Sequence, residues 1–84
     1  MEAYTIYIEG IEESKAILEE ELRDADEIDV PYIERAINAL SQLKLQMIVT
    51  TLEEYFNIHD LAYYATEGYY QTFDGGKRIF LSLE

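Results

Sequence analysis

From Ala3 to Glu9 the chain alternates. Tyr4, Ile6 and Ile8 fall on one side and Thr5, Tyr7 and Glu9 on the other, in β-branched and aromatic residue types, and Gly10 closes the run. A period of two in such residues predicts a strand. The period then changes. Ile11, Leu18, Leu22 and Ala25 follow at steps of seven, four and three, one face of a helix over Ile11 to about Asp26, with Ile17 broadening the stripe. Asp24 to Val30 is a charged link, and Pro31 suits the first position of a second helix, where its missing N–H is not needed. Ile33, Ala36, Ile37, Leu40, Leu43 and Met47 carry that helix onward at steps of three and four. Leu43 to Val49 also alternates as a strand would, but the unbroken three-four spacing favours helix through this stretch.

Thr51-Leu52-Glu53-Glu54 has the spacing of a capping box, so a further helix can begin at Thr51. Asn57 offers a second start, followed by Ile58, Leu61, Ala62 and Ala65 on one face, with Gly68 just past the helix end. Tyr69 to Phe73, Asp74-Gly75-Gly76 and Lys77 to Leu83 read as a β-hairpin, with Ile79, Leu81 and Leu83 facing inward. Lys77 and Arg78 are a lone basic pair of the kind that keeps an edge strand from aggregating. The expected fold is α+β, a three-stranded antiparallel sheet with two to four helices on one face in the order β-α-α-α-β-β. All 84 residues form a single domain in this reading.

Charge changes the picture more than composition does. Twelve of the 18 acidic residues lie in the first 34 positions, opposed only by Lys15 and Arg23, so this stretch holds −10 of the net −12. Glu13, Glu20, Asp24 and Glu27 form one row along the first helix and Glu12, Glu19 and Asp26 a second, with Asp29 at the edge. Charge this lopsided destabilises a small fold by self-repulsion. It also opposes direct binding to nucleic acid or to anionic lipid. At 49% hydrophobic and 13% aromatic the chain is too apolar for a disordered acidic tail. It has no cysteine, which excludes disulfides and thiolate sites and fits a reducing cytoplasm. No apolar run approaches the roughly 20 residues of a membrane span, and Met1-Glu2-Ala3-Tyr4 does not begin a signal peptide.

Catalytic and metal-binding patterns are not visible. Ser14, Ser41 and Ser82 lie in no nucleophile motif. His59, the single histidine, is five and six residues from Glu54 and Glu53, spacings that do not align on a helix, so no metal site and no cofactor are expected. Gly75-Gly76 precedes no helix and does not form a phosphate loop. Among eight tyrosines, Tyr63-Tyr64 and Tyr69-Tyr70 are adjacent pairs, and one member of each must turn outward. Tyrosine is enriched at interface hot spots, which makes Tyr63, Tyr64 and Tyr70 candidate contacts flanking the acidic rows.

Size, acidity and tyrosine content together resemble the small acidic anti-CRISPR and antirestriction proteins of phages and mobile elements, several of which mimic DNA. Over about 30 residues, Tyr55-Phe56-Asn57, the helix through Ala62, Gly68-Tyr69-Tyr70 and the hairpin to Phe80 resemble the C-terminal end of ArdA-type antirestriction proteins. That family's aromatic-x-Asp cap is here Asn57, its Arg-Asp dipeptide is replaced by Tyr63-Tyr64, and the chain is about half the usual length. The resemblance implies a DNA mimic that occupies the DNA site of a restriction enzyme. The expected function is thus a cytoplasmic, non-enzymatic inhibitor. Its acids Glu12, Glu13, Glu19, Glu20, Asp24, Asp26, Glu27 and Asp29 would bind a basic nuclease or CRISPR effector. The alternative is a structural or regulatory interaction module, such as a homodimer or phage accessory protein, held through tyrosine-rich apolar surface.

Overall fold

A computed structural model describes residues 3–83. The first strand, β1 (Tyr4–Glu9), alternates as its sequence requires: Ile6 and Ile8 are fully buried, and Tyr7 faces out. Gly10 then turns the chain into α1 (Ile11–Arg23). Its φ of 83° is left-handed, and a Cβ there would stand 2.7 Å from the Leu81 carbonyl oxygen, so only glycine fits. The Gly10 carbonyl accepts from the Ser14 N–H at 3.0 Å, which starts the helix without a side-chain cap. Leu18 and Ser14 form the buried side of α1, whereas Ile17 is largely exposed and does not widen the apolar stripe. The helix stops at Arg23, a turn earlier than the expected Asp26, because Asp24 already leaves helical geometry.

A short turn leads into α2 (Val30–Gln42), with Pro31 in its first turn as expected. This helix does not continue through Met47. Leu43 adopts an extended conformation and is buried, and Gln46–Val49 forms a strand, β2. Val49 points to the core and Ile48 away from it, so period two prevails over the three-four spacing. Helix α3 (Leu52–Thr66) begins at Thr51, whose hydroxyl accepts from the Glu54 N–H at 3.1 Å. The Glu54 carboxylate in turn accepts from the Thr50 N–H at 2.9 Å. The helix is unbroken, so Asn57 lies in its interior and caps nothing. Left-handed Glu67 ends it, followed by Gly68. The closing hairpin is β3 (Tyr70–Phe73) and β4 (Arg78–Leu81), joined through Asp74–Gly76.

The four strands make one mixed sheet in the order β2-β1-β4-β3, which corrects the expected three-stranded antiparallel sheet. β1 is antiparallel to β2 and β3 to β4, but β1 runs parallel to β4, with Ile8 opposite Ile79. β4 is therefore an inner strand, and Arg78 is not an edge residue. α2 packs between α1 and α3, and α3 lies against the sheet. Ile6, Ile8, Val49, Ile79 and Leu81 from the sheet form one core with Leu18, Ala36, Ala39, Leu40, Leu43, Ile58, Ala62 and Ala65. The helices cover this face alone, and the opposite face of the sheet is open.

Gly10→Ala combines left-handed strain with a clash against the Leu81 backbone, so it should lower the unfolding free energy by about 2–4 kcal/mol. Urea denaturation followed by circular dichroism measures this; a loss near zero would show that the turn can relax.

Candidate functional site

On α1, Glu12, Glu13, Glu19, Glu20 and Glu21 are all exposed, and Asp24, Asp26, Glu27 and Asp29 continue the series through the following turn. The turn is held by its backbone: the Asp29 and Val30 N–H groups donate to the Asp26 carbonyl at 2.9 and 3.2 Å. Among the described residues none of these carboxylates is in an ion pair; the one ion pair there is Arg78 with Asp74, at 3.8 Å. Glu12 and Glu13 sit at the helix N-terminus, where the dipole favours negative charge. Glu20 and Glu21 sit in the last turn, where the dipole opposes it, and Glu20 also lies one turn from Asp24, a like-charge spacing. Helix stability alone would not place carboxylates there.

From Glu12 to Glu21 the five glutamates of α1 span about 13–14 Å of helix at 1.5 Å per residue, a mean of one charge per roughly 3 Å, comparable to the ~3.4 Å per phosphate of one DNA strand. The molecule measures 47 × 19 × 17 Å along its principal axes. Its radius of gyration of 13.3 Å exceeds the ~12 Å of a compact chain of this length. At the tip of the acidic turn, between Glu27 and Asp29, Ile28 is 80% exposed. A strand-or-helix reading passes over this residue, because an isolated isoleucine inside a charged link belongs to neither pattern.

Tyr63 and Tyr64 both face solvent from the last turns of α3, their rings 6.2 Å apart and edge-to-face. Across from them, exposed Tyr32 stands in the first turn of α2, and its N–H donates to the Asp29 carbonyl at 3.1 Å. Tyr32, Arg35, Tyr63, Tyr64 and Glu67 border a shallow groove of about 190 Å³. Tyr32 thus joins the end of the acidic turn to the tyrosine pair, a link between residues far apart in sequence that periodicity does not reveal.

Tyr70 occupies a different environment from Tyr63 and Tyr64. It is half-buried, its ring edge-to-face with His59 at 5.1 Å and with Tyr63 at 6.4 Å. Its hydroxyl lies 2.7 Å from His59 Nδ1. Burial raises the Tyr70 pKa above the ordinary 10.0, with smaller contributions from Tyr55, Asp60 and Tyr63. The tautomer of His59 sets which of the two groups donates in this hydrogen bond. The pair fastens β3 to α3. Among the described residues no cluster of three His, Asp or Glu side chains could hold a metal ion. No helix among them is long and apolar enough to cross a membrane.

The open face of the sheet is a second surface. Gln46, Tyr7, Arg78 and Phe73 form one row across all four strands, and Glu9, Phe80 and Gln71 the next. The Arg78 guanidinium lies over the Tyr7 ring at 5.7 Å, and Phe73 meets Phe80 edge-to-face at 4.7 Å. Comparison with protein-family models, curated proteins and solved structures finds no match to this chain.

Because the charged phenolate is the disfavoured form in the fold, the contribution of Tyr70 is constant below pH 10.0 and falls as pH rises through its higher folded value. Unfolding free energy measured from pH 8 to 11.5 should therefore decline more steeply in the wild type than in Tyr70→Phe. Equal slopes would remove Tyr70 as the cause.

Proposed function

We propose that the protein is a non-enzymatic inhibitor whose acidic face occupies the basic nucleic-acid site of a DNA- or RNA-handling defence enzyme, such as a restriction enzyme or CRISPR effector. The observation that carries this reading is the row of exposed, unpaired carboxylates from Glu12 to Asp29, part of it set against the helix dipole. A basic cleft that binds it would gain the counterion release and the steering that it gains from nucleic acid. The spacing of charge along α1 and the slender outline of the molecule both suit such a cleft. Ile28 would supply the apolar contact that a phosphate backbone lacks, and Tyr32, Tyr63 and Tyr64 the short-range contacts at the end of the row. The likeness to small anti-CRISPR and antirestriction proteins points the same way.

A second reading, a structural or regulatory interaction module, rests on the exposed tyrosines around the groove of α2 and α3. The two readings differ in salt dependence. Exposed charge is screened over roughly 8–10 Å at physiological ionic strength, so binding through the acidic row weakens steeply with salt, whereas binding through tyrosine surface resists it.

The test captures proteins from bacterial lysate on the immobilised chain, with double-stranded DNA titrated as competitor. A nuclease or CRISPR effector released by DNA and by salt is the expected result. The Glu13→Lys, Glu20→Lys, Asp24→Lys variant should fold normally and bind that partner at least about a hundredfold more weakly, since each reversal turns attraction into repulsion. Undiminished capture by the folded variant would overturn the reading.

A further inference from the structure

We infer that the cavity at the start of α3 is a binding site for a small carboxylic acid with a short apolar body, of the arylalkanoate class. The inference goes beyond the inhibitor reading and uses none of its residues, because the tyrosine groove lies at the other end of α3. Tyr4 and Ile6 share the inward side of β1, and the first turn of α3 brings Leu52 and Tyr55 to the same space. The glycines of the β3–β4 turn close it. The cavity measures about 250 Å³. A dry apolar cavity of about 150 Å³ accepts benzene, so this one has room for a ring and an arm of a few atoms. Fully buried Ile6 forms its floor, and Leu52, 68% exposed, leaves an apolar side chain open beside it.

Two polar groups at this cavity are without partners. Gly76 has a φ of 90°, and a Cβ there would overlap the Tyr55 hydroxyl, so the turn lies directly against the phenol. That hydroxyl has no hydrogen-bond partner among the described residues and is not buried, whereas the Tyr70 hydroxyl is bonded to His59. Lys77 follows the turn, and its backbone is fixed to β1, the carbonyl accepting from the Tyr7 N–H at 2.8 Å. Its ammonium is in no ion pair among the described residues, because neighbouring Asp74 pairs with Arg78. Charge selects the ligand. The chain has 18 acidic and 6 basic residues, yet the residues around this cavity include Lys77 and no carboxylate. The cavity therefore favours an anion, and its walls favour one that carries apolar surface. The flexible stem of Lys77 brings its ammonium to a carboxylate at the mouth, and the Tyr55 phenol donates to the same group. A ligand of about ten non-hydrogen atoms held in this way should have a dissociation constant on the order of 0.1–1 mM.

Titration of the full chain with phenylpropionate, followed by heteronuclear NMR, tests the proposal. Saturable shifts at the amides of Gly75, Gly76 and Lys77 are expected. Phenylpropanol, the neutral analogue, should bind at least about tenfold more weakly, since it leaves the ammonium unpaired. Lys77→Met keeps an apolar stem and removes the charge. It should lower the affinity for the acid to that for the alcohol and leave the alcohol's affinity unchanged. Tyr55→Phe should weaken the acid about threefold, the effect of one lost hydrogen bond. Circular dichroism checks that both variants fold. No saturable shift up to about 10 mM phenylpropionate, ten times the weakest affinity expected, would overturn the proposal. So would shifts centred on Tyr32, Tyr63 and Tyr64, equal affinity for acid and alcohol, or a folded Lys77→Met variant that binds the acid as the wild type does.

Discussion

The pairing of β1 with β4 is the constraint on which the rest of the structure depends. These strands come from opposite ends of the described chain, yet they lie side by side and parallel, with Ile8 opposite Ile79 and both essentially inaccessible to solvent. Forming this pair closes a loop that contains all three helices, a step whose entropy must be met before the contacts form. Once closed, it dictates the remaining geometry. β2 and β3 can add only at the outside, one to each central strand. The chain must leave β1 beside Leu81, and it does so through Gly10, where the backbones are too close for any side chain. The fully buried Ile6, Ile8 and Ile79 of the central strands then offer one apolar face, against which α3 packs, with α2 and α1 following in turn.

The charge is borne where the fold can tolerate it. α1 packs mainly against α2 and buries only Ser14 and Leu18 completely, whereas α3 buries Ile58, Ala62, Ala65 and Thr66. Mutual repulsion among the glutamates of α1 therefore acts on the helix least embedded in the core. Thr66, the other buried polar residue, is satisfied within its own helix by the Ala62 carbonyl at 2.9 Å. No buried side-chain nitrogen or oxygen among the described residues lacks a partner. Polar strain is thus absent from the interior and concentrated on one outer surface.

Much of this was legible in the sequence where the signal is local. The alternation of β1, the apolar spacing of α1, Pro31 at the start of α2, the Thr51–Glu54 cap and the Asp-Gly-Gly turn each depend on neighbours within a few residues, and each is where the pattern puts it. β2 was not legible, because Leu43 to Val49 satisfies both periods and four residues are too few to separate them. The competing helix would have exposed the sheet edge of β1, and that tertiary cost is invisible to a local pattern. For the same reason the parallel β1–β4 pair, the inner position of Arg78 and the bond between Tyr70 and His59, eleven residues apart, required the fold. In the candidate site the carboxylates were read directly from charge, while Ile28 and Tyr32 emerged only from exposure and proximity.

The two surfaces share a property that ordinary stability does not account for. A helix placed for stability alone would have cations in its last turn, yet α1 has Glu20 and Glu21 there, with Arg23 the only cation. A sheet open to water would alternate to polar residues, yet this one turns Tyr7, Ile48 and Phe73 outward. Local rules broken on the surface, with a well-satisfied interior behind them, are where function is to be sought. The departures differ in kind, one electrostatic and long-ranged, the other apolar and short-ranged, and they lie on opposite sides of a shared core.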